Sequence, residues 1–281
     1  MKIGAHVSTA GGPVTAFERA EAIGAEAAQI FLTPPQQWRS SKVEPEQAEA
    51  FRARAAASSC GPLFVHGVYL INLATSDESN LTRSTSSLKS ALTSCSQLGI
   101  QGVIFHLGSH KGMGLEAVFA QICKACTDVL ANTPDDVQLI LENSAGAGGT
   151  IGSQFADLGR IIREVDSPRI KVCLDTQHSF AAGYDLASAE GLEMAMTEFE
   201  QEVGFDQLVA VHANDSKVEL GRGLDRHENI GEGMIGIEGF RRIVAHRGFK
   251  DVPFLLEVPG LDGKGPDQSN IDILKKMRNG E

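Results

Sequence analysis

The sequence is poor in the features that mark membrane, secreted and disulfide-bonded proteins. None of its apolar runs approaches the roughly 18 residues that suggest a membrane-spanning helix. The N-terminus, beginning Met1-Lys2-Ile3, has no long apolar core and no small-residue cleavage site, so it does not resemble a secretory signal. The five cysteines are odd in number and scattered, which suits reduced thiols better than a disulfide framework. We therefore expect an intracellular protein with no membrane partner, and the bacterial cytoplasm is the default location.

Basic residues are also scarce. The 281 residues include 25 Lys and Arg against 36 Asp and Glu, and the formal net charge is −11. This balance favours a small-molecule enzyme over a nucleic-acid-binding protein, because phosphate binding draws on Lys and Arg. Several divalent cations bound in one cleft would add local positive charge, however. The acidic balance therefore makes DNA binding less expected without excluding it.

Eight short runs rich in Val, Ile, Leu and Phe recur along the chain. They lack period-2 alternation, which predicts strands buried on both faces, as in parallel sheets. Amphipathic segments lie between them, including 13–24, 45–57, 84–98, 115–130 and 237–246. Eight strands alternating with helices predict an α/β protein, a single (β/α)8 TIM barrel domain over residues 1–281. The predicted strands are 3–7, 28–32, 63–66, 103–106, 139–142, 172–175, 208–212 and 254–257.

Each of the last six predicted strands ends in a residue of a metal-binding type. A single such residue would more often mark where a strand reaches solvent, but six in succession favour a shared site. The carboxyl ends of barrel strands meet at one rim, where barrel enzymes keep their chemistry. Three imidazoles and three carboxylates there would repel or remain unsatisfied without a cation. These ligand types suit zinc, with manganese or iron possible. The six residues are His66, His106, Glu142, Asp175, His212 and Glu257.

Three further candidates lie just beyond strand ends. His178 follows Asp175 by three residues, and Asp225 and His227 lie two residues apart. Each alone could be an ordinary surface residue. Together they would supply the ligands for another metal beside the first cluster.

Long motifs around these positions resemble the endonuclease IV family, the zinc-dependent apurinic/apyrimidinic endonucleases, from one end of the chain to the other. The resemblance implies three zinc ions, with manganese possible at one or more sites. The first would be held by His66, His106 and Glu142; Glu142 would bridge to a second, completed by Asp175, His212 and Glu257; the third would take His178, Asp225 and His227. The matching motifs are GAHVS at 4–8, HGVYLINL at 66–73, LENSAG at 141–146, LDTQHSFAAGYD at 174–185, HANDSK at 212–217 and DRHENIGEG at 225–233.

The resemblance also implies an activity in base excision repair. The expected reaction is hydrolysis of the phosphodiester 5′ to an abasic site in double-stranded DNA, leaving a 3′-hydroxyl and a 5′-deoxyribose phosphate. Removal of blocking groups from 3′ ends would use the same geometry. Glu142 is the expected catalytic residue, because a bridging carboxylate can orient the attacking water or take its proton. We expect the protein to act as a monomer.

The expected DNA contacts follow the family less closely. Tyr69 and Leu70 match family residues that push into the base stack at the lesion, and Trp38 also matches. The segment 33–37 reads TPPQQ, where the family usually has a Lys-Asn pair and often an Arg. Gln36 can wedge or hydrogen-bond there but brings no charge, so DNA affinity is expected to differ. Candidate phosphate contacts, each of which could equally be a solvated surface charge, are Lys217, Arg222 and Arg226.

Two other functions compete with this interpretation. A metal-dependent sugar isomerase or epimerase on the same kind of barrel would suit the acidic charge, but it does not need the third group of ligands. A non-catalytic DNA-binding module is disfavoured by the intact ligand set and the shortage of Lys and Arg.

Overall fold

The computed structural model of the protein describes residues 1–40 and 42–281. Eight parallel strands close into a barrel, each beside its sequence neighbour, so the predicted (β/α)8 TIM barrel is confirmed. A two-stranded antiparallel ribbon lies in the loop after the seventh barrel strand. All eight predicted strands are present, with ends shifted by no more than two residues. In chain order the strands are β1 (Ile3–His6), β2 (Ala28–Ile30), β3 (Leu63–His66), β4 (Gly102–His106), β5 (Gln138–Glu142), β6 (Ile170–Asp175), β7 (Leu208–His212), the ribbon strands β8 (Asp215–Ser216) and β9 (His227–Glu228), and β10 (Phe254–Leu256).

Helices surround the barrel. In the part of the chain that the structure describes, no helix is both long and apolar enough to cross a bilayer. The helices are α1 (Thr15–Ala22), α2 (Pro45–Ala57), α3 (Glu78–Leu98), α4 (Leu115–Ala131), α5 (Phe155–Val165), α6 (Thr176–Ala182), α7 (Ala189–Glu202), α8 (Gly236–Ala245) and α9 (Gln268–Arg278). Short 3-10 turns occupy Ala147–Gly149, Phe205–Gln207 and Arg247–Phe249.

Helix α3 begins six residues before its predicted start. Its first half is rich in Ser and Thr, which weakens the helical signal because these side chains compete with the backbone for hydrogen bonds. The Asp77 side chain offsets this by accepting hydrogen bonds from the N–H groups of Ser79 and Asn80. An N-terminal cap of this kind stabilises a helix by about 1 kcal/mol. The capped start extends the helix toward the loop that follows β3.

The core has two layers, which explains why the strands are apolar without alternation. One set of strand side chains packs outward against the helices, and a smaller, separate set fills the barrel interior. Successive strand residues point to opposite faces. Both faces of every strand are therefore covered. The interior set is Ala27, Phe64, Ile104, Ile140, Cys173, Ala210 and Leu255.

Candidate metal centre

The residues at the carboxyl ends of the barrel strands point into the barrel mouth. A strand repeats its facing every two residues. All of these residues except His6 lie two positions after a residue of the interior set, and His6 lies two positions after Gly4. For example, His66 lies two residues after Phe64, and Glu142 lies two residues after Ile140. The same step places a polar residue at the mouth from every barrel strand. In chain order these are His6, Gln29, His66, His106, Glu142, Asp175, His212 and Glu257.

Three groups of these and nearby side chains offer ligand atoms within 4.8 Å of one another. Glu142 and Asp175 each belong to two groups, so the three groups form one continuous cluster. Asp225 adjoins it, with carboxylate oxygens 3.4 Å from His178 Nε2 and 3.3 Å from His227 Nε2. The structure thus brings together all nine predicted ligands. The groups are His66–His106–Glu142, Glu142–Asp175–His212–Glu257 and Asp175–His178–His227.

Glu142 lies at the centre of the cluster and is fully buried. One oxygen, Oε2, lies 3.1 Å from His66 Nε2 and 3.4 Å from His106 Nε2. The other, Oε1, lies 2.9 Å from His212 Nδ1 and 3.4 Å from His178 Nδ1. The carboxylate therefore faces two different sets of imidazoles, which is the geometry that a bridging ligand needs.

Two local structures hold the residues that lie beyond the strand ends. Asp175 caps helix α6, and its Oδ1 accepts a hydrogen bond from His178 N at 2.8 Å. This places His178 one turn into the helix, above the barrel mouth. His227 lies on the ribbon strand β9, which pairs with β8. The buried carboxylate of Asp215 in β8 accepts hydrogen bonds from the N–H groups of Gly231 and Ile235, which anchors the loop after the ribbon.

Backbone carbonyls fix the proton position on three of the imidazoles. The Nδ1 atoms of His66, His178 and His227 lie 2.7, 3.0 and 3.3 Å from the carbonyl oxygens of Gly67, Asn143 and Glu257. A carbonyl oxygen only accepts, so each Nδ1 carries a proton and donates it. In the neutral ring, Nε2 then presents a lone pair to the cluster. Metal-bound histidines are held by outer partners in this way.

The electrostatics of the cluster fit a bound cation. His227 Nε2 is buried, has no hydrogen-bond partner among residues 1–40 and 42–281, and lies 3.7 Å from an oxygen of Asp175. Within the described residues, the ion pairs of Glu142 and Asp175 involve only histidines, and neither residue pairs with Lys or Arg. Lone pairs and buried carboxylates facing one another are unfavourable without positive charge between them. The donor set of imidazole nitrogens and carboxylate oxygens suits zinc.

The pKa shifts also indicate that positive charge stabilises the cluster. Burial lowers the pKa of His178, but Asp175, Asp225 and Glu142 raise it more, and the net pKa lies well above the usual value. Burial raises the pKa of Glu142, but the surrounding histidines bring it well below the usual value. The cluster therefore favours ionised carboxylates with a cation among them, and a metal ion can replace the protons.

The predicted DNA-contact residues lie around this mouth or on its surrounding loops. Tyr69 is 57% exposed, with its ring edge-on to Phe31 and His66 at centroid distances of 5.4 and 5.8 Å. Its N–H donates to the carbonyl of Pro35 at 2.9 Å, so the TPPQQ segment lies against the Tyr69 loop. Gln36 is exposed, whereas Leu70 and Trp38 are half-buried against the core.

The three predicted phosphate contacts are all exposed. Lys217 lies 3.4 Å from an oxygen of Glu228, and Arg226 donates to the neighbouring carbonyl of Asp225 at 2.6 Å. Arg222 lies between them in sequence, in the loop that joins the two ribbon strands. All three belong to the connection that carries Asp225 and His227.

Two cavities open beside the cluster. One of about 830 Å³ is lined by His6, Tyr69, His227 and Glu257, and also by Pro34 and Pro35 of the TPPQQ segment. The second, of about 440 Å³, is lined by residues that include His106, His178 and Asp225, and Tyr69 lines both cavities. The cluster is therefore accessible from both cavities.

Sequence reasoning did not identify His6 and Gln29, which complete the mouth on β1 and β2. Gln29 is not a metal-binding type, and neither strand ended in the pattern shared by the other six. The signal that finds them is the two-residue step from an inward-facing small residue, Gly4 or Ala27. The outer amides Asn143 and Asn214, which hydrogen-bond to Asp175, were also not identified.

Comparison with known proteins gives a similarity that runs the length of the chain. A family model described as a xylose isomerase-like TIM barrel matches residues 17–277. Proteins named probable endonuclease 4 from Halothermothrix orenii and Halorhodospira halophila are each 40% identical, covering 98% and 99% of this chain and 100% and 94% of their own. The crystal structure of endonuclease IV from Thermus thermophilus superposes with a TM-score of 0.89 at 33% identity, over 100% of both chains.

Proposed function

The chain belongs to the endonuclease IV family of xylose isomerase-like TIM barrels, and from that premise we propose that it is an apurinic/apyrimidinic endonuclease of base excision repair. It hydrolyses the phosphodiester 5′ to an abasic site in duplex DNA and leaves a 3′-hydroxyl and a 5′-deoxyribose phosphate. The same site removes blocking groups from 3′ ends.

The observation that carries this proposal is the group formed by Asp175, His178 and His227, with Asp225 beside it. A sugar isomerase or epimerase on this barrel needs one or two metals and has no use for a third group. Three zinc ions in one cluster suit phosphodiester hydrolysis, because the attacking water, the phosphoryl oxygens and the leaving oxygen all need charge stabilisation. The third group therefore favours the nuclease over its main rival.

The three groups supply the proposed zinc sites, with Asp225 taking the place of Asp175 in the third. His66, His106 and Glu142 hold the first, Glu142 with Asp175, His212 and Glu257 the second, and His178, Asp225 and His227 the third. When bound, the metals supply Lewis-acid chemistry, in which the pKa of water falls and charge on phosphoryl and leaving oxygens is neutralised.

The chain's own residues perform the remaining steps. Glu142 bridges the first two groups and is the proposed catalytic residue, which orients the attacking water or takes its proton. The lowered pKa of Glu142 keeps this carboxylate ionised. The backbone carbonyls of Gly67, Asn143 and Glu257 keep three imidazoles oriented throughout the reaction.

The surrounding loops are proposed to hold the DNA. Exposed Tyr69 and its neighbour Leu70 enter the base stack at the lesion, where the missing base lowers the few kcal/mol that unstacking costs. Gln36 and Trp38 support the same side of the duplex. Lys217, Arg222 and Arg226 contact phosphates on the ribbon side of the mouth.

A labelled duplex with one tetrahydrofuran abasic analogue tests the proposal. This analogue cannot undergo β-elimination, so any cleavage must be hydrolytic. We expect incision that leaves a 3′-hydroxyl and stops when a strong zinc chelator is added. An intact duplex with zinc-loaded protein would contradict the proposal, and turnover of free or phosphorylated sugars would then favour the isomerase.

A further inference from the structure

Gln29 is the one side chain that cannot ionise among the eight strand-end residues at the barrel mouth. It lies in β2 and is fully buried. In the barrel register it pairs with His6 of β1 on one side and with Phe64 of β3 on the other. A buried amide at this position needs hydrogen-bond partners, because an unsatisfied one costs about 1–3 kcal/mol. All of its partners belong to the mouth of the barrel.

The amide of Gln29 has only one allowed orientation. Its Nε2 lies 2.6 Å from Glu257 Oε1, which as a carboxylate oxygen can only accept. Nε2 also donates to His6 Nδ1 at 2.9 Å. The amide oxygen consequently faces His212 Nε2 at 2.8 Å and accepts its proton. Turning the amide over would set two acceptor oxygens 2.6 Å apart.

This orientation decides which atoms of two other residues face the cluster. Because His212 donates from Nε2, the neutral ring presents the lone pair of Nδ1, which lies 2.9 Å from Glu142 and 3.4 Å from Glu257 Oε2. Because Gln29 holds Oε1 of Glu257, the oxygen that faces His212 is Oε2. The Gln29 amide thus binds His212 Nε2 and Glu257 Oε1, and it leaves His212 Nδ1 and Glu257 Oε2 facing the cluster.

We propose that Gln29 is a positioning residue that sets His212 and Glu257 as ligands of the metal shared with Glu142 and Asp175. The inference rests on the metal centre of the proposed function. Outer partners of metal ligands typically contribute about 10- to 100-fold in metal affinity. Gln29 serves two ligands of one group at once, so its loss should weaken that group at two points.

Zinc affinity of Gln29→Met tests the proposal, with Gln121→Met as the matched control. Met has a similar volume to Gln and no amide. Gln121 on α4 also uses its Nε2 for two hydrogen bonds, to the carbonyls of Leu73 and Thr75, away from the cluster. Zinc is titrated into each metal-free protein in competition with a chromogenic chelator. The thermal midpoint Tm is measured with and without zinc.

We expect at least one zinc equivalent to bind Gln29→Met about 10- to 100-fold more weakly than wild type. The fall in Tm should be larger with zinc than in the metal-free form, where only the hydrogen bonds of Gln29 are lost, so the zinc-induced rise in Tm should shrink. Gln121→Met should lower Tm equally in both forms and leave zinc affinity unchanged. Wild-type affinity in Gln29→Met, or an equal fall in Tm with and without zinc, would overturn the proposal.

Two further outcomes are informative. If wild type itself binds no zinc, the proposed function fails, whereas normal zinc binding by both wild type and Gln29→Met removes only the role of Gln29. If Gln29→Met does not fold, Gln29→Ala avoids any steric clash and is titrated in its place. Failure of both variants to fold without zinc, when metal-free wild type folds, would also overturn the proposal, because Gln29 would then be needed by the barrel itself.

Discussion

Carboxylates are neutralised differently at the two ends of the barrel. At the amino end, Glu26 accepts a hydrogen bond from Ile3 N at 3.0 Å and one from Arg278 Nη1 at 2.6 Å, with Lys275 Nζ 3.7 Å away. At the carboxyl end, all ion-pair partners of Glu142 and Asp175 within the described residues are histidines. Lys and Arg are permanent cations, whereas a histidine is cationic only when both of its ring nitrogens carry protons.

This difference distinguishes the amino end of the barrel, where Glu26 stabilises the fold, from the carboxyl end, where the carboxylates belong to the candidate metal centre. The Glu26 network is complete by itself and links β1, the start of β2 and the last helix. The carboxyl-end cluster is more deeply buried and pairs with no Lys or Arg in the described part of the chain, so a bound metal would relieve the repulsion among its carboxylates. We expect the stability of the amino end to be independent of metal and that of the carboxyl end to depend on it.

The largest expected effect comes from paired Glu→Gln substitutions at the two ends. Glu142→Gln removes the proposed base and bridge, so incision should slow by at least the roughly 10²- to 10⁴-fold that general-base catalysis contributes. Glu26→Gln should leave the incision rate near wild type and lower the free energy of unfolding by roughly 1–3 kcal/mol. Steady-state incision and urea unfolding measure the two effects. Equal losses of activity in both variants would remove the distinction between the ends.

The second expected effect isolates the third group. His227→Asn removes an imidazole that faces Asp175 and Asp225, so one zinc fewer should remain per chain. Incision should slow by on the order of 100-fold or more, above the range for an outer partner. His246→Asn, at the end of α8 and outside the cluster, is the control and should keep full metal content. Elemental analysis measures the zinc content per chain alongside the incision assay. An unchanged zinc content in His227→Asn would argue against a third site.

The third effect concerns the free energy of unfolding and whether the contributions of zinc and of Glu26 to it are additive. Zinc bound at 100 times its dissociation constant adds about 2.7 kcal/mol to the free energy of unfolding. Glu26→Gln should show the same zinc-dependent gain as wild type, because distant sites add independently. Glu142→Gln should lose most of that gain. Urea unfolding with and without zinc tests this, and a reduced gain in Glu26→Gln would mean that the two ends are coupled.

The fourth effect is the pH dependence of the amino end. Burial raises the pKa of Glu26, but Arg278, Ile3 N–H and Lys275 lower it more, so the net pKa lies below its usual value. Because the pKa of Glu26 is lower in the folded state, ionised Glu26 stabilises the fold at pH values above the unfolded-state pKa of about 4.3. This stabilisation is lost as the pH falls through the folded-state pKa. In metal-free protein, the stability difference between wild type and Glu26→Gln should therefore be constant near neutrality and shrink below about pH 4. A difference that persists at lower pH would contradict this role.

The smallest effect concerns the uncharged TPPQQ segment. Gln36→Arg adds one cation beside the mouth, so the slope of log affinity for abasic duplex against log salt should steepen by about one. Gln97→Arg makes the same change on the exposed surface of α3, near the amino end of the barrel. That control should leave the slope unchanged. Identical slopes in both variants would place Gln36 outside the DNA path.

Much of the barrel and its cluster is predictable from sequence because strand periodicity is local. A buried apolar run fixes a strand, and the two-residue repeat carries an interior residue such as Ile140 to a rim residue such as Glu142. Six candidate ligands on successive strands follow from this rule. His178, Asp225 and His227 were identified as further candidates by their positions just beyond strand ends, and the family resemblance then supplied the grouping of all nine.

Features that depend on contacts between residues far apart in the sequence were harder to predict from the sequence. Strand β2 is only three residues long, and Gln29 gains its importance from partners on β1, β7 and the end of β10, which its own sequence neighbourhood does not reveal. The start of α3 depends on a single cap at Asp77. The anchoring of the ribbon loop depends on Asp215, whose carboxylate meets N–H groups as far along the chain as Gly236.

The most direct test counts the metal that catalysis needs. Zinc is titrated into metal-free protein while incision of the tetrahydrofuran duplex is followed, with elemental analysis at each step. We predict that activity rises steeply only as the third equivalent binds and that chelation abolishes it. Full activity with fewer than three equivalents, or incision that resists chelation, would contradict a trinuclear centre at the carboxyl end of the barrel.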